Sequence, residues 1–289
     1  MTFAIVGGDA RQVKLAQILA EQYTVLAFGL DEMPPVSPVI YTQSLQECVN
    51  QTVDCVVLPI PLTTCDGLLN MPLMARALPV EHLLNAMTAG QIIAAGIIPQ
   101  EFMQAAKAKG VHVSDYAKRE ELAVTNAVPT AEAALQIAME RMTITIDGCK
   151  ALVIGYGRIG KILARQLAAL GANVSVSARK LSDMTWITVS GFRALHTVQL
   201  TPYVGEFDVI FNTVPYAVMD ETDIKQTQAP CLLIDLASAP GGIDIDAAKR
   251  NGRQCIWALA LPGKHSPDTA AWNLSRTLHY IIDEMRVEV

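Results

Sequence analysis

The sequence predicts an α/β protein of two lobes with a cleft between them, each lobe built on a mostly parallel sheet. Three observations lead to that reading. Short apolar runs alternate with helical patterns twice over, once before residue 128 and once after it. Such alternation gives an open parallel sheet with helices on its faces. In the second half an apolar run through Ile154 ends in Gly155-x-Gly157-x-x-Gly160 and passes into a helical pattern marked by Ile162, Leu163, Ala164 and Leu167. With a second strand following, that arrangement defines a Rossmann dinucleotide-binding lobe. Between the halves, Pro129 stands at a natural first helical position, and Ala134, Leu135, Ala138 and Met142 recur at helical spacing.

The domains therefore run 1–128 for an N-terminal α/β substrate lobe, 129–147 for a linking helix, 148–265 for the Rossmann lobe and 266–289 for a last helix that braces the lobes. In order, Phe3–Val6 is a buried strand, Gly7-Gly8-Asp9 a turn, and Leu15, Ile18 and Leu19 mark a helix. Tyr23–Phe28 and Asp54–Leu58 are strands. A helix over Phe102–Lys109 and a strand at Val111–Ser114 close the lobe, and Ile92–Ile98 reads equally as strand or loop. Past the Asp147-Gly148 turn, further strands are expected at Asn173–Ser177, Val209–Asn212 and Leu232–Leu236, with Leu261–Ser266 as a loop. Ser266 suits an N-cap, Pro267 the first helical position and Asp268 the helix dipole. Leu274, Leu278, Ile281, Ile282 and Met285 then form one apolar face, with Trp272 off it.

Each glycine of the triplet has its own task. Gly155 permits the tight turn, Gly157 lets the backbone approach a pyrophosphate, and Gly160 lets helix and strand pack closely. Tyr156, Arg158 and Ile159 belong to the same loop. Sites for NAD place Asp or Glu about 20 residues further on, to bind the ribose hydroxyls. Here that position reads Ser177-Ala178-Arg179-Lys180, without a carboxylate. Arg179 and Lys180 attract a 2′-phosphate and Ser177 adds a donor, so NADP(H) is expected over NAD(H). The plainer alternative makes both cations ordinary loop residues with loose selectivity.

Composition narrows the class. Half of the 289 residues are hydrophobic, which suggests large buried surfaces and a homo-oligomer interface. A net charge of −6 argues against nucleic acid or an anionic membrane as a general partner. The six cysteines are scattered with no Cys-x-x-Cys pair, so they read as thiols in a reducing compartment and no metal site is expected. No signal peptide and no run of membrane-spanning length is visible, which points to the cytoplasm.

Ligands in open α/β folds bind beyond the carboxyl ends of the strands. Five stretches fall there. Gly7-Gly8-Asp9-Ala10-Arg11 points Asp9 and Arg11 toward the cleft as substrate contacts, Arg11 for a carboxylate or other anion, against an ordinary helix cap with a surface cation. Asn212-Thr213-Val214-Pro215 is expected close to a nicotinamide. Leu236, Ala237 and Ser238 follow the next strand, the first two toward cofactor and Ser238 toward substrate. Lys264 and His265 precede the last helix. Lys118-Arg119-Glu120-Glu121 reads as a solvated charge run or as a lining of the cleft. His82, His112, His196 and His279 read as structural or surface residues.

Taken together, Gly7-Gly8-Asp9-x-Arg11, Asn212-Thr213-x-Pro215, Asp235-Leu-Ala-Ser-x-Pro-Gly-Gly242 and Leu261-Pro-Gly-Lys264 resemble the A-subunit family of dipicolinate synthases over nearly the whole chain. The resemblance implies an NAD(P)-linked oxidoreductase. Its reaction would convert dihydrodipicolinate, or a hydroxylated tetrahydro precursor, to dipicolinate during sporulation, on a branch of the lysine pathway. It also implies a partner, the flavoprotein-like B-subunit. Two substrate carboxylates call for Arg11, Arg119, Lys118 and Lys264 as cationic partners, and loss of water calls for His265 or Glu120 as the acid. Two other readings remain open at this point: a nucleotide-binding subunit without catalysis, and a 2-hydroxyacid or shikimate-type dehydrogenase. The Rossmann half is similar to D-2-hydroxyacid dehydrogenases and adenosylhomocysteine hydrolase. It lacks the substrate-gripping arginine of the former in the Leu236–Gly242 loop, and the acid of the latter near Arg179.

Overall fold

Strands that are apolar along their whole length need cover on both faces, and both sheets of this molecule have it. A computed structural model describes residues 1–287 and divides them into two units: Met1–Thr125 with the chain from Ser266 onward, and Asn126–His265. In the first, β1 (Thr2–Val6), α1 (Ala10–Ala20), β2 (Thr24–Phe28), β3 (Ile40–Tyr41), α2 (Leu45–Cys48) and β4 (Cys55–Val57) follow one another. α3 (Val80–Ala86), β5 (Ile92–Ala95), α4 (Gln100–Ala108) and β6 (His112–Asp115) complete the sheet. The strand order is β3-β2-β1-β4-β5-β6 and every pairing is parallel. Phe3 and Ile5 join a core on one face, Ala4 and Val6 a core on the other. Order reverses between β1 and β4, the switch point where such sheets hold ligands.

The linking helix, α5 (Glu120–Arg141), starts nine residues before Pro129, which lies inside it. The expected start at Pro129 is thus corrected. An interior proline removes one backbone bond and costs about 3 kcal/mol. Offsetting contacts lie on both sides. Glu120 and Glu121 complement the dipole in the first turn, and Leu122 is buried in the first unit's core. Ala131, Ala134, Leu135 and Ala138 are buried in the second. The Thr125 hydroxyl donates to Glu121 O at 2.8 Å.

The second unit contains β7 (Lys150–Ile154), α6 (Arg158–Ala169), β8 (Asn173–Ala178), α7 (Leu181–Val189), β9 (Arg193–His196) and β10 (Val209–Asn212). α8 (Glu221–Gln226), β11 (Leu232–Asp235), α9 (Ile245–Arg250), β12 (Cys255–Trp257) and α10 (Leu261–His265) follow. Its order, β12-β11-β10-β7-β8-β9, repeats that of the first sheet, again wholly parallel. Leu261–His265 was expected as a loop; it forms the short α10, anchored by buried Leu261.

The last helix, α11 (Pro267–Val287), belongs to the first unit and packs along α1. Ala271, Leu274, Leu278, Ile281 and Ile282 enter the core there, and Trp272 stays half exposed. Tyr23 and His279 meet through Oη and Nε2 at 3.3 Å. Among the described residues no helix is long and apolar enough to cross a membrane.

Candidate functional site

The glycine loop after β7 has the geometry its spacing implies. The Gly155 N–H donates to Ser177 O at 2.9 Å, and Gly155 has φ +100°, a conformation that side-chain-bearing residues rarely adopt. A Cβ on Gly160 would overlap the Gly155 carbonyl oxygen. Gly157 differs from both. It caps α6, is exposed, and a Cβ there would meet no protein atom within 4 Å. The first N–H groups of α6 have no acceptor within the helix, so the open space beyond Gly157 is an anion cradle. These residues fit a dinucleotide's pyrophosphate. Tyr156 is fixed beside the cradle. Its hydroxyl lies 3.0 Å from Ser190 Oγ, and the Lys161 ammonium lies 5.4 Å from the ring centroid. Arg158 is exposed and Ile159 half-buried.

Arg179 and Lys180 leave the carboxyl end of β8 exposed, and neither side chain is engaged in a hydrogen bond or ion pair among the described residues. Ser177 does not join them. It is fully buried, and its hydroxyl accepts from Thr197 Oγ1 at 3.2 Å. The inward side of a strand whose two faces are both covered holds it away from any ligand, which corrects its place among the cofactor contacts.

At the ends of β10 and β11 a buried network shapes two loops. Asn212 Nδ2 donates to Asp235 Oδ1 at 2.8 Å and to Val214 O at 3.0 Å, and its Oδ1 accepts from Val214 N. Asp235 also accepts from the N–H groups of Ala237, Gly242 and Ile243 at 2.7–3.0 Å. Four donors satisfy a carboxylate with no exposed surface. The Asn212 amide is therefore held inside the protein and positions Thr213, Val214 and Pro215 instead of reaching a ligand. Likewise the side chains of Leu236 and Ala237 are buried and the backbone of Ala237 is bonded within the protein, which corrects their expected place against the cofactor, while Ser238 is exposed. Trp257 Nε1 donates to Ala237 O at 2.8 Å. Asp235 was not singled out from the sequence, although a lone acid ending the apolar run Leu232–Ile234 is the signal for such a latch.

In the first unit, β1 delivers Gly7-Gly8-Asp9 to the switch point. Asp9 caps α1, its own N–H donating to Gln12 Oε1, and its carboxylate holds the Arg11 guanidinium through Nε and Nη2. Asp9 is thus occupied within the protein, not offered to a substrate. The Arg11 side chain is 14% exposed, so it is no ordinary surface cation. Burial works against its charge, and the hydrogen bonds and charge of Asp9 outweigh that, raising its pKa. Nη2 also approaches Ile60 O after β4 at 3.5 Å, and Nη1 has no partner among the described residues. Nearby, Ile97 after β5 holds φ +55°, strained for a β-branched residue, and Asp115 Oδ1 accepts its N–H at 3.1 Å. Tyr116 is buried and donates to Leu58 O, and burial pushes its phenol upward.

The other predicted residues have surroundings of their own. Arg119 binds Glu284 through both terminal nitrogens at 2.7 Å and Glu121 through Nε at 2.6 Å. Two carboxylates engage all three of its nitrogens and neutralise its charge, so its expected role in substrate binding is corrected. Lys118 is exposed and faces Asp115 at 3.6 Å. Glu120 is exposed in the first turn of α5. Lys264 and His265 are exposed in α10, and His265 Nδ1 pairs with Gln136 Oε1 at 3.0 Å.

Comparison with known proteins follows this division. Residues 2–117 match the model for the N-terminal domain of the dipicolinate synthase A-subunit. Residues 124–238 match the NAD-binding domain of D-isomer-specific 2-hydroxyacid dehydrogenases. Over its full length the chain is 32% identical to the dipicolinate synthase A-subunit of Bacillus subtilis (strain 168), covering 98% of that protein. The chain belongs to the dipicolinate synthase A-subunit family. Crystal structures of dipicolinate synthase A chains superpose closely on it. That from Bacillus subtilis has a TM-score of 0.89 at 30% identity, covering 100% of this chain and 98% of the other. That from Bacillus halodurans gives 0.88 at 27%, covering 97% of each. The cradle at Gly157 is thus part of an NAD-binding dehydrogenase domain carried on a dipicolinate synthase A chain, as an oxidoreductase requires.

Proposed function

We propose that this chain carries out the NADP-linked oxidation of dihydrodipicolinate, or of its hydroxylated tetrahydro precursor, to dipicolinate, in the cytoplasm during spore formation and together with a flavoprotein-like B-subunit. The observation that carries the reading is the open cradle at Gly157 followed by the exposed pair Arg179 and Lys180 in a chain of this family. When bound, the nicotinamide supplies a hydride acceptor. The dihydropyridine ring loses one C–H bond with its electron pair and one proton, and becomes aromatic.

The protein's part is binding and orientation. The first turn of α6 holds the pyrophosphate, and Arg179 with Lys180 holds the 2′-phosphate. Arg11, fixed by Asp9, presents Nη1 to one ring carboxylate. Lys118 is the first unit's candidate for the other, and Lys264 and Ser238 are the second unit's candidates for substrate contact. His265 has Nδ1 engaged by Gln136, which leaves Nε2 to take the ring proton. Glu120 is the acid where water must leave. The half-exposed Trp272 of α11 contributes to the contact with the B-subunit, and the chain alone forms homo-oligomers.

The test uses this chain with and without the B-subunit, supplied with dihydrodipicolinate and NADP⁺. Reduced nicotinamide and dipicolinate should appear one for one, and only weakly without the B-subunit. Dipicolinate formed at an unchanged rate with nucleotide withheld would overturn the reading.

A further inference from the structure

We infer that His196 is a third donor to the 2′-phosphate and so a determinant of cofactor choice. The inference rests on the NADP reading above and deepens it. β8 and β9 are neighbours, and Ala178 pairs in register with His196. Both strands end at that pair. His196 therefore stands beside the point where Arg179 and Lys180 leave the sheet, one inter-strand spacing away.

Its ring orientation is fixed locally. His196 caps the short turn Thr197–Gln199, with Nδ1 accepting the Val198 N–H at 3.4 Å. A ring nitrogen that accepts a hydrogen bond carries no proton, so the neutral imidazole bears its proton on Nε2. Nε2 is a donor in either protonation state. It has no partner among the described residues, and the ring is half-buried. Behind it the one hydroxyl of the strand pair's end, Ser177, is already bonded to Thr197. This end of the sheet thus brings together a guanidinium, an ammonium and an imidazole N–H. A phosphate monoester has three terminal oxygens to receive them.

The experiment compares 2′,5′-ADP with 5′-AMP by calorimetry on the full chain, in wild type, His196→Asn and Arg179→Asp. Asn keeps an acceptor for the Val198 N–H and so preserves the turn, but it removes the outward ring nitrogen. Wild type should prefer 2′,5′-ADP. His196→Asn should weaken 2′,5′-ADP by about tenfold, the scale of a hydrogen bond to a charged group, and leave 5′-AMP unchanged. Wild-type affinities for both ligands in His196→Asn, with the preference lost in Arg179→Asp, would overturn the role of His196 alone. Equal binding of the two ligands by wild type would overturn the NADP reading and this inference with it. Should His196→Asn fail to fold, wild type answers by proton NMR. One of the five imidazole signals should move with 2′,5′-ADP and not with 5′-AMP; no such movement overturns the inference.

Discussion

Asn212 and Asp235 end adjacent strands in register, both without exposed surface, and the amide of one donates to the carboxylate of the other at 2.8 Å. The pair fixes two loops at the carboxyl edge of the second sheet. Asp235→Asn would turn one acceptor into a donor facing N–H groups that now have a partner. The expected loss is about 2–4 kcal/mol, from orphaned buried donors at about 1–3 kcal/mol each. Urea unfolding measures it, and an unchanged midpoint would contradict the latch.

The glycine loop separates folding from binding. Gly157→Ala enters open space, so stability should fall only by about 0.5–1 kcal/mol, the cost of alanine at an N-cap. Nucleotide affinity should nevertheless drop at least about tenfold, because the added methyl occupies the pyrophosphate's approach. Gly160→Ala meets the Gly155 carbonyl and should destabilise the fold itself. Thermal melts beside NADPH titrations distinguish the two. Equal behaviour of both variants would contradict the assignment.

How far the sequence carried these conclusions differs by element. The second unit was legible because its glycines, strand ends and helix spacing are local signals. The repeated strand order of the first unit was not. β3 has only two residues and β5 only four, too short for a period to declare itself. α5 was misread at its start because proline's preference for a first turn was overridden by flanks buried on both sides of it. Arg119 looked free in a charge run because its partner Glu284 lies 165 residues away. Ser177 and Asn212 have ligand-binding side chains by type, and only the packing shows that they face inward. Legible to within a residue was where most of these strands end; which side chains point out of them was not.

Two arginines of the first unit should behave oppositely. Arg11→Met should weaken dipicolinate binding by roughly ten- to a hundredfold and leave NADPH binding unchanged, as expected for a lost charge-assisted contact of about 1.5–3 kcal/mol. Arg119→Met should leave dipicolinate binding intact and cost up to about 1 kcal/mol of stability, since its ion pairs lie at the surface. Calorimetry with dipicolinate checks both. Loss of binding in the Arg119 variant with Arg11→Met unaffected would reverse the assignment.

Burial pushes the thiols of Cys48, Cys55, Cys231 and Cys255 up to about 12 and that of Cys149 up to about 11. Thiolate is the reactive form, so these five should resist a disulfide reagent at about pH 8 in the native protein. Exposed Cys65 should react at once. Denaturation should release the remaining thiols of the six. More than one fast native thiol would contradict the described burial.

A single-turnover experiment with the B-subunit, dihydrodipicolinate and NADP⁺ tests most directly whether the Gly157 cradle holds the nucleotide that takes the hydride. In wild type, reduced nicotinamide and dipicolinate should rise together, one for one. In Gly157→Ala, folded by thermal melt, both should rise at least about tenfold more slowly at sub-saturating NADP⁺. Dipicolinate forming at the wild-type rate in that variant would contradict the account and place the oxidation on the partner protein.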